Sequence, residues 1–420
     1  MIEVKLERMV HGGNALARLK DGKVALIRGG IPGETVKAEV IEKSGLVQGK
    51  VIEVLEASPD RIETPKHPGL DYGFIKYERQ LELKREVVQD SLSRSLKREV
   101  EVSSVRPAPK IWNYRHTVQP VVSGGGLGYR EEGSHTIVLL DTDPTASEPI
   151  NNLWQQWSTL NAPKGIHEIV FRANGEGDIL LSLIASASAK NYLEFAHHLV
   201  REGIAGVSYA QFDERGRFRS GSEKLAGEKT ILQSYGKFSI SVSATNFAQP
   251  NPSAATQLYK ALEQLAPSGN LALDVYAGSG IIGMYLSSKF KRVIALEIDR
   301  GSVTRGQRDV ERLGIGNLEF IKTDAKYLEI PEGADLITVD PPRSGLNKEV
   351  RQAISGSDVK QLIYVSCDVA TWVRDVAEFE KAGWTLKQFE PFDFYPHTHH
   401  IELLSCLERW STFNISHPES

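Results

Sequence analysis

A cysteine at the end of an apolar run is the first residue whose position suggests chemistry. Cys367 comes at the end of "LIYVSC" and precedes "ATWVRDVAEFEKAG", a segment whose apolar spacing predicts a helix. The dipole at a helix N-terminus favours a thiolate over a thiol. An isolated cysteine is more often a small buried side chain, so a core position is the alternative that the neighbouring motifs have to exclude.

A carboxyl and three histidines lie close together near the C-terminus. The segment "FDFYPHTHHIELLSC" contains His397, His399, His400 and Glu402. Clustered histidines are typical of metal sites, but alternation along a strand sends neighbouring side chains to opposite faces. We therefore expect no metal site here and interpret Glu402 as the candidate functional residue. Cys406, on the alternating segment that follows, is expected in the core.

A glycine turn follows an apolar strand in "LALDVYAGSGIIGMYLSS". Glycine allows the backbone to approach a ligand closely. Gly278, Gly280 and Gly283 also have the G-x-G-x-x-G spacing of dinucleotide-binding folds. Glu297, at the end of the next strand, could hold ribose hydroxyls with either kind of cofactor. A nicotinamide-dependent dehydrogenase is therefore one interpretation of this turn.

Three acidic residues favour S-adenosylmethionine over a nicotinamide. Asp274 can meet the cationic amino-acid end of that cofactor, and Asp324 in "IKTDA" can accept from an adenine amino group. Asp340 begins "DPPRSG", a rigid turn, because proline fixes φ and offers no competing donor. Open α/β sheets bind ligands at the carboxyl ends of their strands, so these carboxyls and Cys367 should meet at one crevice.

The elements around these motifs predict an α/β fold with additional domains. Strand, glycine-bearing turn and helix alternate in the C-terminal part, which predicts a parallel, Rossmann-like sheet covered on both faces. Short strands punctuated by Gly and Pro predict an N-terminal OB-like barrel that binds oligonucleotides or acts as a structural cap. The expected domains are the barrel at 1–57, a linker and basic helix at 58–109, a mixed α+β domain at 110–238, and the cofactor domain at 239–420.

Composition limits the class of protein. The chain has 420 residues and a net charge of −4, which argues against unselective coating of nucleic acid. The basic segment at 76–100 is either a solvated helix face or a local RNA contact. Two cysteines cannot build a disulfide framework or an all-cysteine metal cage within one chain. With no apolar run of about 18 residues and no signal peptide, we expect a cytoplasmic protein without membrane association.

The motifs together resemble those of TRAM-domain RNA (uracil-5-)-methyltransferases, which make 5-methyluridine in 23S rRNA or in the tRNA T-loop. "DPPRSG", followed after sixteen residues by "LIYVSCDVAT", is similar to the nucleophile signature of that family. "FDFYPHTHHIE" is similar to its C-terminal signature, which ends in the general base. The resemblance implies S-adenosylmethionine as cofactor, Cys367 as nucleophile, Glu402 as base and Arg343 as a substrate-binding residue. It implies cofactor contacts from Gln249, Tyr276, Gly278, Glu297, Asp324 and Asp340.

The chain departs from the family pattern at several positions. Many relatives carry four cysteines that bind an iron-sulfur cluster, but "TPKHPGLDYGFIKYERQ" contains none, so we expect no such cluster. Ile281 stands where relatives often have a polar residue on the cofactor. Asp368 follows the nucleophile where Asn is usual. A carboxylate there would oppose thiolate formation if it pointed inward.

Several alternatives for the function remain. The barrel favours 23S rRNA as the target over tRNA, because bacterial tRNA enzymes of the family usually lack it, although archaeal ones keep it. The alternatives are a tRNA T-loop uridine-5-methyltransferase and a non-catalytic TRAM-type RNA-binding protein. The complete set of Cys367, Glu402 and Asp340 argues against the non-catalytic protein, and the barrel argues against a small-molecule or DNA methyltransferase. RNA is the expected partner, and no obligatory protein partner is evident.

Overall fold

The computed structural model describes residues 1–213 and 221–409, which divide into two compact units. The first unit contains Met1–Ile62, Phe74–Ala108 and the chain from Gln257 onward. The second unit contains Glu63–Gly73 and Pro109–Thr256. The boundaries at 57, 109 and 238 that the sequence suggests stay predictions. The final residues of the expected cofactor domain, 410–420, lie outside the described part.

The N-terminal strands form a closed barrel in the order β1-β2-β3-β5-β4. Alternate residues along the strands point inward, and small side chains such as Ala15, Ala17 and Ala25 let the narrow interior close. Within the barrel, the pair formed by β3 and β5 is parallel and the other strand pairs are antiparallel. The predicted barrel is confirmed. Its strands are β1 (Ile2–Val10), β2 (Asn14–Arg18), β3 (Val24–Arg28), β4 (Thr35–Lys43) and β5 (Leu46–Glu56).

The basic segment forms one helix, α1 (Tyr77–Leu96), but its charges are largely engaged within the protein. Arg79 pairs with Glu82 and Glu86, and Lys84 is fully buried. A buried stripe of residues along the helix packs in the first unit, partly against α8 (Val369–Lys381). Burying the apolar residues of this stripe also buries Lys84 between them, whereas Arg85 and Arg94 on the helix are exposed. The choice between a solvated basic face and an RNA contact stays a prediction.

The second unit is built around one mixed sheet. Its core contains a cluster of aromatic rings, including Trp154, Trp157, Phe171 and Phe195. The strand order is β13-β12-β11-β10-β7-β8-β9, with β6 also paired to β10. Its elements are β6 (Thr117–Val118), β7 (Val121–Ser123), β8 (Gly126–Arg130), β9 (Ile137–Leu139), α2 (Glu148–Gln156), β10 (Ile166–Ala173), β11 (Ile179–Ala185), α3 (Leu193–Arg201), β12 (Gly206–Gln211), β13 (Glu223–Gly227), and a hairpin of β14 (Ile231–Tyr235) and β15 (Phe238–Val242).

The C-terminal sheet of the first unit has the order β18-β17-β16-β19-β20-β22-β21. Five strands are parallel, and β22 runs antiparallel between β20 and β21. The strands are β16 (Gly269–Val275), β17 (Phe290–Glu297), β18 (Leu318–Lys322), β19 (Leu336–Val339), β20 (Gln361–Ser366), β21 (Trp384–Phe392) and β22 (Glu402–Arg409). The other helices are α4 (Pro252–Leu265), α5 (Ile281–Leu286), α6 (Arg300–Arg312) and α7 (Lys348–Gly356).

This sheet has the architecture that the sequence predicted. The central strands are mostly buried and mostly apolar, as expected where helices cover both faces. The strand order reverses between β16 and β19, and ligands bind at such a switch point, outside the carboxyl ends of the strands. The predicted Rossmann-like α/β class is confirmed. Among the described helices, none is long and apolar enough to cross a membrane.

Candidate active site

Strand pairing places Cys367 next to Glu402. Cys367 follows β20 directly, and the last pair between β20 and β22 is Ser366 with Leu403. Because β22 is antiparallel, its first residue, Glu402, lies at the same edge as the carboxyl ends of the parallel strands. Asp340 follows the neighbouring strand β19. The fold therefore gathers thiol and carboxyls at the switch-point edge.

The thiol of Cys367 is strongly disposed to stay protonated. Burial raises its pKa to about 12, and the negative charges of Glu402 and Asp340 add to this effect, while Arg343 opposes it. The expectation that the helix N-terminus favours a thiolate is wrong for this protein in the absence of ligands. The helix dipole is outweighed because burial and several carboxyls act on the same sulfur.

The two carboxyls nearest the thiol also favour their protonated forms. Glu402 is 2% exposed, and burial together with Asp340 raises its pKa well above the ordinary value. Burial, with a further effect from Asp274, raises the pKa of Asp340 to about 7. Both carboxyls are therefore biased toward their protonated forms, a property typical of groups that transfer protons in active sites.

The carboxylate of Asp368, a departure from the family pattern, is held by partners other than the thiol. Asp368 is the N-cap of α8, and its Oδ1 accepts from Thr371 N at 2.8 Å and Thr371 Oγ1 at 3.0 Å. Its Oδ2 lies 3.2 Å from His11 Nε2. Burial opposes ionisation, but these partners lower the pKa of Asp368 to about 2. Its charge still disfavours the Cys367 thiolate, as the smallest of the effects on that sulfur.

The end of β16 provides a buried carboxyl. Asp274 is fully buried and accepts hydrogen bonds from Thr338 Oγ1 and Gly283 N, each at 2.9 Å. Burial raises the pKa of Asp274 to about 7 despite these two bonds, and the charge of Glu297 acts in the same direction. A cation brought to this edge would favour the charged form of Asp274.

The turn after β16 is shaped by residues in the left-handed region. Tyr276, Gly278 and Gly280 have φ values of 64°, 56° and 79°. A Cβ on Gly280 would lie 2.4 Å from a ring carbon of Phe320, whereas a Cβ on Gly278 would meet open space. Gly280 therefore serves helix packing, and Gly278 leaves room for a ligand beside the turn.

The next two strand ends each present a partly buried carboxylate. Glu297 accepts from Gly278 N at 2.8 Å and from Asp299 N at 2.7 Å, so it also braces the glycine turn. Asp324 accepts from Lys326 N at 3.0 Å, and this bond, together with the Lys326 ammonium, lowers its pKa. Burial, then Asp324, raises the pKa of Tyr276 to about 12. These residues line the same edge as Asp274.

Other candidate residues lie elsewhere or in the core. Gln249 belongs to the second unit, where its backbone oxygen accepts from Tyr235 Oη at 3.0 Å, and its cofactor contact stays a prediction. Ile281 is buried at the start of α5, which suits an apolar residue there. Cys406 is 4% exposed, so the expected core position is confirmed.

Two residues that the sequence did not single out hold the segment before Glu402. Gln80 Oε1 accepts from His397 N at 2.9 Å, and its Nε2 lies 3.0 Å from His397 Nδ1. Lys84 Nζ donates to Asp393 Oδ1 at 2.6 Å, and both side chains are fully buried. Gln80 and Lys84 lie four residues apart on the apolar stripe of α1. Two polar residues at this spacing on an otherwise apolar helix face are the sequence signal that could have revealed these contacts.

The histidines near Glu402 do not form a metal cage with their neighbours. Across residues 1–213 and 221–409, no group of three or more His, Cys, Asp or Glu side chains is arranged to hold a metal ion. His397 is instead engaged with Gln80, and the rings of His399 and His400 lie 4.2 Å apart. The absence of an iron-sulfur cluster stays a prediction from the cysteine content.

Comparison with known proteins gives a consistent picture. The family model described as tRNA (Uracil-5-)-methyltransferase matches residues 224–330 and 333–410. An uncharacterized RNA methyltransferase from Halalkalibacterium halodurans is 30% identical over 446 residues, covering 97% of each chain. Another from Thermotoga maritima is 30% identical over 430 residues, covering 95% of this chain and 97% of its own.

A solved structure shares the fold over nearly the whole chain. The Pyrococcus abyssi tRNA (uracil-54, C5)-methyltransferase, in complex with S-adenosyl-L-homocysteine, superposes with a TM-score of 0.78 at 21% identity. The match covers 97% of this chain and 100% of that one. The fold, the family model and the near full-length relatives agree with the motifs at the switch-point edge. The chain therefore belongs to the RNA (uracil-5-)-methyltransferase family.

Proposed function

We propose that this protein transfers a methyl group from S-adenosylmethionine to carbon 5 of a uridine in structured RNA, through a covalent adduct with Cys367. The observation that carries the proposal is the pairing of β20 with β22, which sets Cys367 beside Glu402. Asp340, at the end of the adjacent strand, and Arg343 act electrostatically on both residues. A nucleophile and a base at one strand edge are what carbon 5 methylation needs.

The switch-point edge fits the proposed cofactor. Gly278 leaves open space beside the turn, and the carboxyls of Asp274 and Asp340 are buried where a cation would favour their charged forms. Glu297 and Asp324 follow as acceptors for hydroxyl and amino groups. When bound, S-adenosylmethionine supplies an electrophilic methyl group on a sulfonium. Gln249 and Tyr276 are further proposed contacts.

Cys367 activates the uracil. Carbon 5 is a weak nucleophile in the free base, so the Cys367 thiol gives up its proton to solvent, the thiolate bonds to carbon 6, and the electrons of the 5,6 double bond move toward carbon 5. Carbon 5 then forms its bond to the methyl group as the carbon–sulfur bond of the donor breaks. Arg343 and Asp340 orient the reactants, because transfer between two bound molecules gains most from alignment.

Glu402 completes the reaction. After transfer, carbon 5 carries both the methyl group and its original hydrogen. Glu402, in its carboxylate form, removes that proton, the electron pair re-forms the double bond, and the Cys367 thiolate leaves from carbon 6 and takes up a proton. Burial, then the charge of Asp340, raises the pKa of Glu402, which makes its carboxylate a stronger base than an exposed one.

The proposed target is a uridine of 23S rRNA, flipped out of its stack, in a cytoplasmic setting. The N-terminal barrel supports an rRNA target, as the resemblance to the family suggests. A tRNA T-loop target is the second candidate. It is favoured by the full-length match to the Pyrococcus abyssi protein, which is described as a tRNA (uracil-54, C5)-methyltransferase and covers 97% of this chain, barrel included.

Nucleoside mass spectrometry tests the proposal. We expect 5-methyluridine to disappear from one site of 23S rRNA in cells without the gene and to return with the wild-type chain, but not with Cys367→Ala. Loss confined to tRNA would favour the second candidate. An unchanged 5-methyluridine content in both RNAs, with the protein expressed in the parent cells, would contradict the proposed function.

A further inference from the structure

The turn between the first two barrel strands places a histidine beside the helix that follows the nucleophile. His11 follows β1 and precedes Gly12 and Gly13, whose φ values are 91° and 78°. Glycine adopts such values without strain, so the turn is tight and His11 stands at its tip. His11 Nε2 lies 3.2 Å from Asp368 Oδ2, and the two side chains are 41% and 22% exposed.

The charges that act on the Cys367 sulfur come from several elements of the first unit. Glu402 on β22, Asp340 after β19 and Asp368 at the start of α8 disfavour a thiolate, and Arg343 favours it. Asp368 is the member of this set that faces the barrel. The charge of its carboxylate near Cys367 is therefore offset only while His11 is protonated.

We propose that His11 is a positioning residue for the nucleophile: its imidazole, 3.2 Å from Asp368 Oδ2, offsets the charge of that carboxylate beside Cys367. The inference rests on the proposed role of Cys367. It assigns the barrel a part in the chemistry in addition to any RNA contact, because the ion pair joins the barrel to the residue that follows the nucleophile.

The physical effect is local and has a defined sign. With His11 charged, the pair beside Cys367 is neutral, and the thiolate meets less repulsion. With His11 neutral or removed, the Asp368 charge is uncompensated, and fewer Cys367 thiols ionise at a given pH. The Thr371 hydrogen bonds remain in both cases, so the helix cap does not depend on His11.

The reaction of Cys367 with N-ethylmaleimide, followed by mass spectrometry of its peptide, measures the thiolate fraction without RNA or cofactor. We expect His11→Ala to slow the reaction by about threefold, because it removes the group 3.2 Å from Asp368 Oδ2. Asp368→Asn should accelerate it, since Asn keeps the cap and removes the charge. In the Asp368→Asn background, His11→Ala should have no further effect.

A permanent cation separates a charge effect from a structural one. His11→Arg keeps a positive charge beside Asp368 and should react at least as fast as wild type, whereas His11→Gln keeps a polar side chain without a charge and should react as slowly as His11→Ala. Lys23→Ala removes a different barrel cation, whose Nζ lies 3.0 Å from Glu42 Oε1, and should leave the rate unchanged.

Equal slowing by His11→Ala with and without the Asp368→Asn substitution, or no slowing by His11→Ala alone, would overturn the inference. Because the assay uses neither RNA nor methyl donor, such a result leaves the proposed methyl transfer standing. Conversely, if the predicted thiol reactivities are found but the protein makes no 5-methyluridine, the proposed function fails and the electrostatic role of His11 stands.

Discussion

The buried carboxyl at the end of β16 makes the stability of the protein, measured without ligands, depend on pH. Asp274 has a folded-state pKa of about 7, against an ordinary value of 3.8. As pH rises between these values, the unfolded chain loses the proton and the folded chain keeps it, so stability falls. One pKa unit corresponds to about 1.4 kcal/mol. Because of Asp274, the unfolding free energy is therefore about 4 kcal/mol lower well above pH 7 than below pH 4.

The substitution Asp274→Asn removes this dependence. Lost hydrogen bonds to Gly283 N or Thr338 Oγ1 impose a cost that is the same at every pH, and it cancels when pH values are compared. Relative to wild type, the variant should gain about 2.5 kcal/mol in unfolding free energy from pH 5 to pH 7.5. Asp340 and Glu402, whose pKa values are also raised, are present in both proteins, so the comparison of the two removes their shared contribution. Groups whose pKa is lowered, such as Asp368, act in more acidic solution.

Urea unfolding at several pH values, without cofactor, measures the difference. Asp358→Asn, at an exposed carboxyl of the same unit, is the matched control and should follow the wild-type curve at every pH. If wild type and Asp274→Asn keep a constant difference from pH 5 to pH 7.5, the assignment of a raised pKa to Asp274 is refuted.

Three further predictions concern parts of the protein away from the thiol. Lys84→Met leaves Asp393 buried without its cation and should cost about 3–5 kcal/mol in urea unfolding; the double variant with Asp393→Leu should recover most of it, and no recovery would contradict the pairing. Deleting residues 1–57 should weaken RNA binding in filter assays but leave cofactor affinity in calorimetry nearly unchanged; equal losses would show that the barrel supports the whole fold. The purified protein should be colourless, because Cys367 and Cys406 cannot supply four thiolates; stoichiometric iron with broad visible absorption would count against this.

The elements around the site could be predicted because their signals are local. A strand followed by a glycine turn at Gly278 and a helix, or an apolar run that ends at Cys367, can be recognised within about twenty residues. The barrel likewise follows from closely spaced turns such as the one at Gly12 and Gly13. In these parts the alternation of residue types determines the strands, turns and helices, and the structure confirms the elements that were predicted.

The electrostatic state of the site could not be predicted from such signals. The pKa of Cys367 depends on Asp340 and Glu402, which reach it only because β22 inserts antiparallel beside β20. No pattern of residues within either strand predicts that β22 inserts beside β20. The expectation of a thiolate considered the helix dipole and the neighbouring Asp368, and it omitted the burial and the carboxyls of Glu402 and Asp340 that outweigh the dipole.

Long-range polar pairs were missed for a related reason. Lys84 and Asp393 lie 309 positions apart in sequence, and His11 and Asp368 are still more distant. From the sequence alone, each of these residues would be expected at the solvent-exposed surface. Only the packing of α1 and of the barrel within the first unit turns them into partners.

The adduct formed by a Glu402→Gln variant tests the proposed mechanism most directly. The introduced amide cannot accept the carbon 5 proton, so the variant should bind RNA, transfer the methyl group and then retain the methylated RNA on Cys367. We predict a protein–RNA band that survives denaturing electrophoresis with Glu402→Gln. The band should be absent with Cys367→Ala and with the double variant, because the two roles are sequential. Wild-type turnover by Glu402→Gln, or an adduct that persists without Cys367, would contradict the assignment of nucleophile and base.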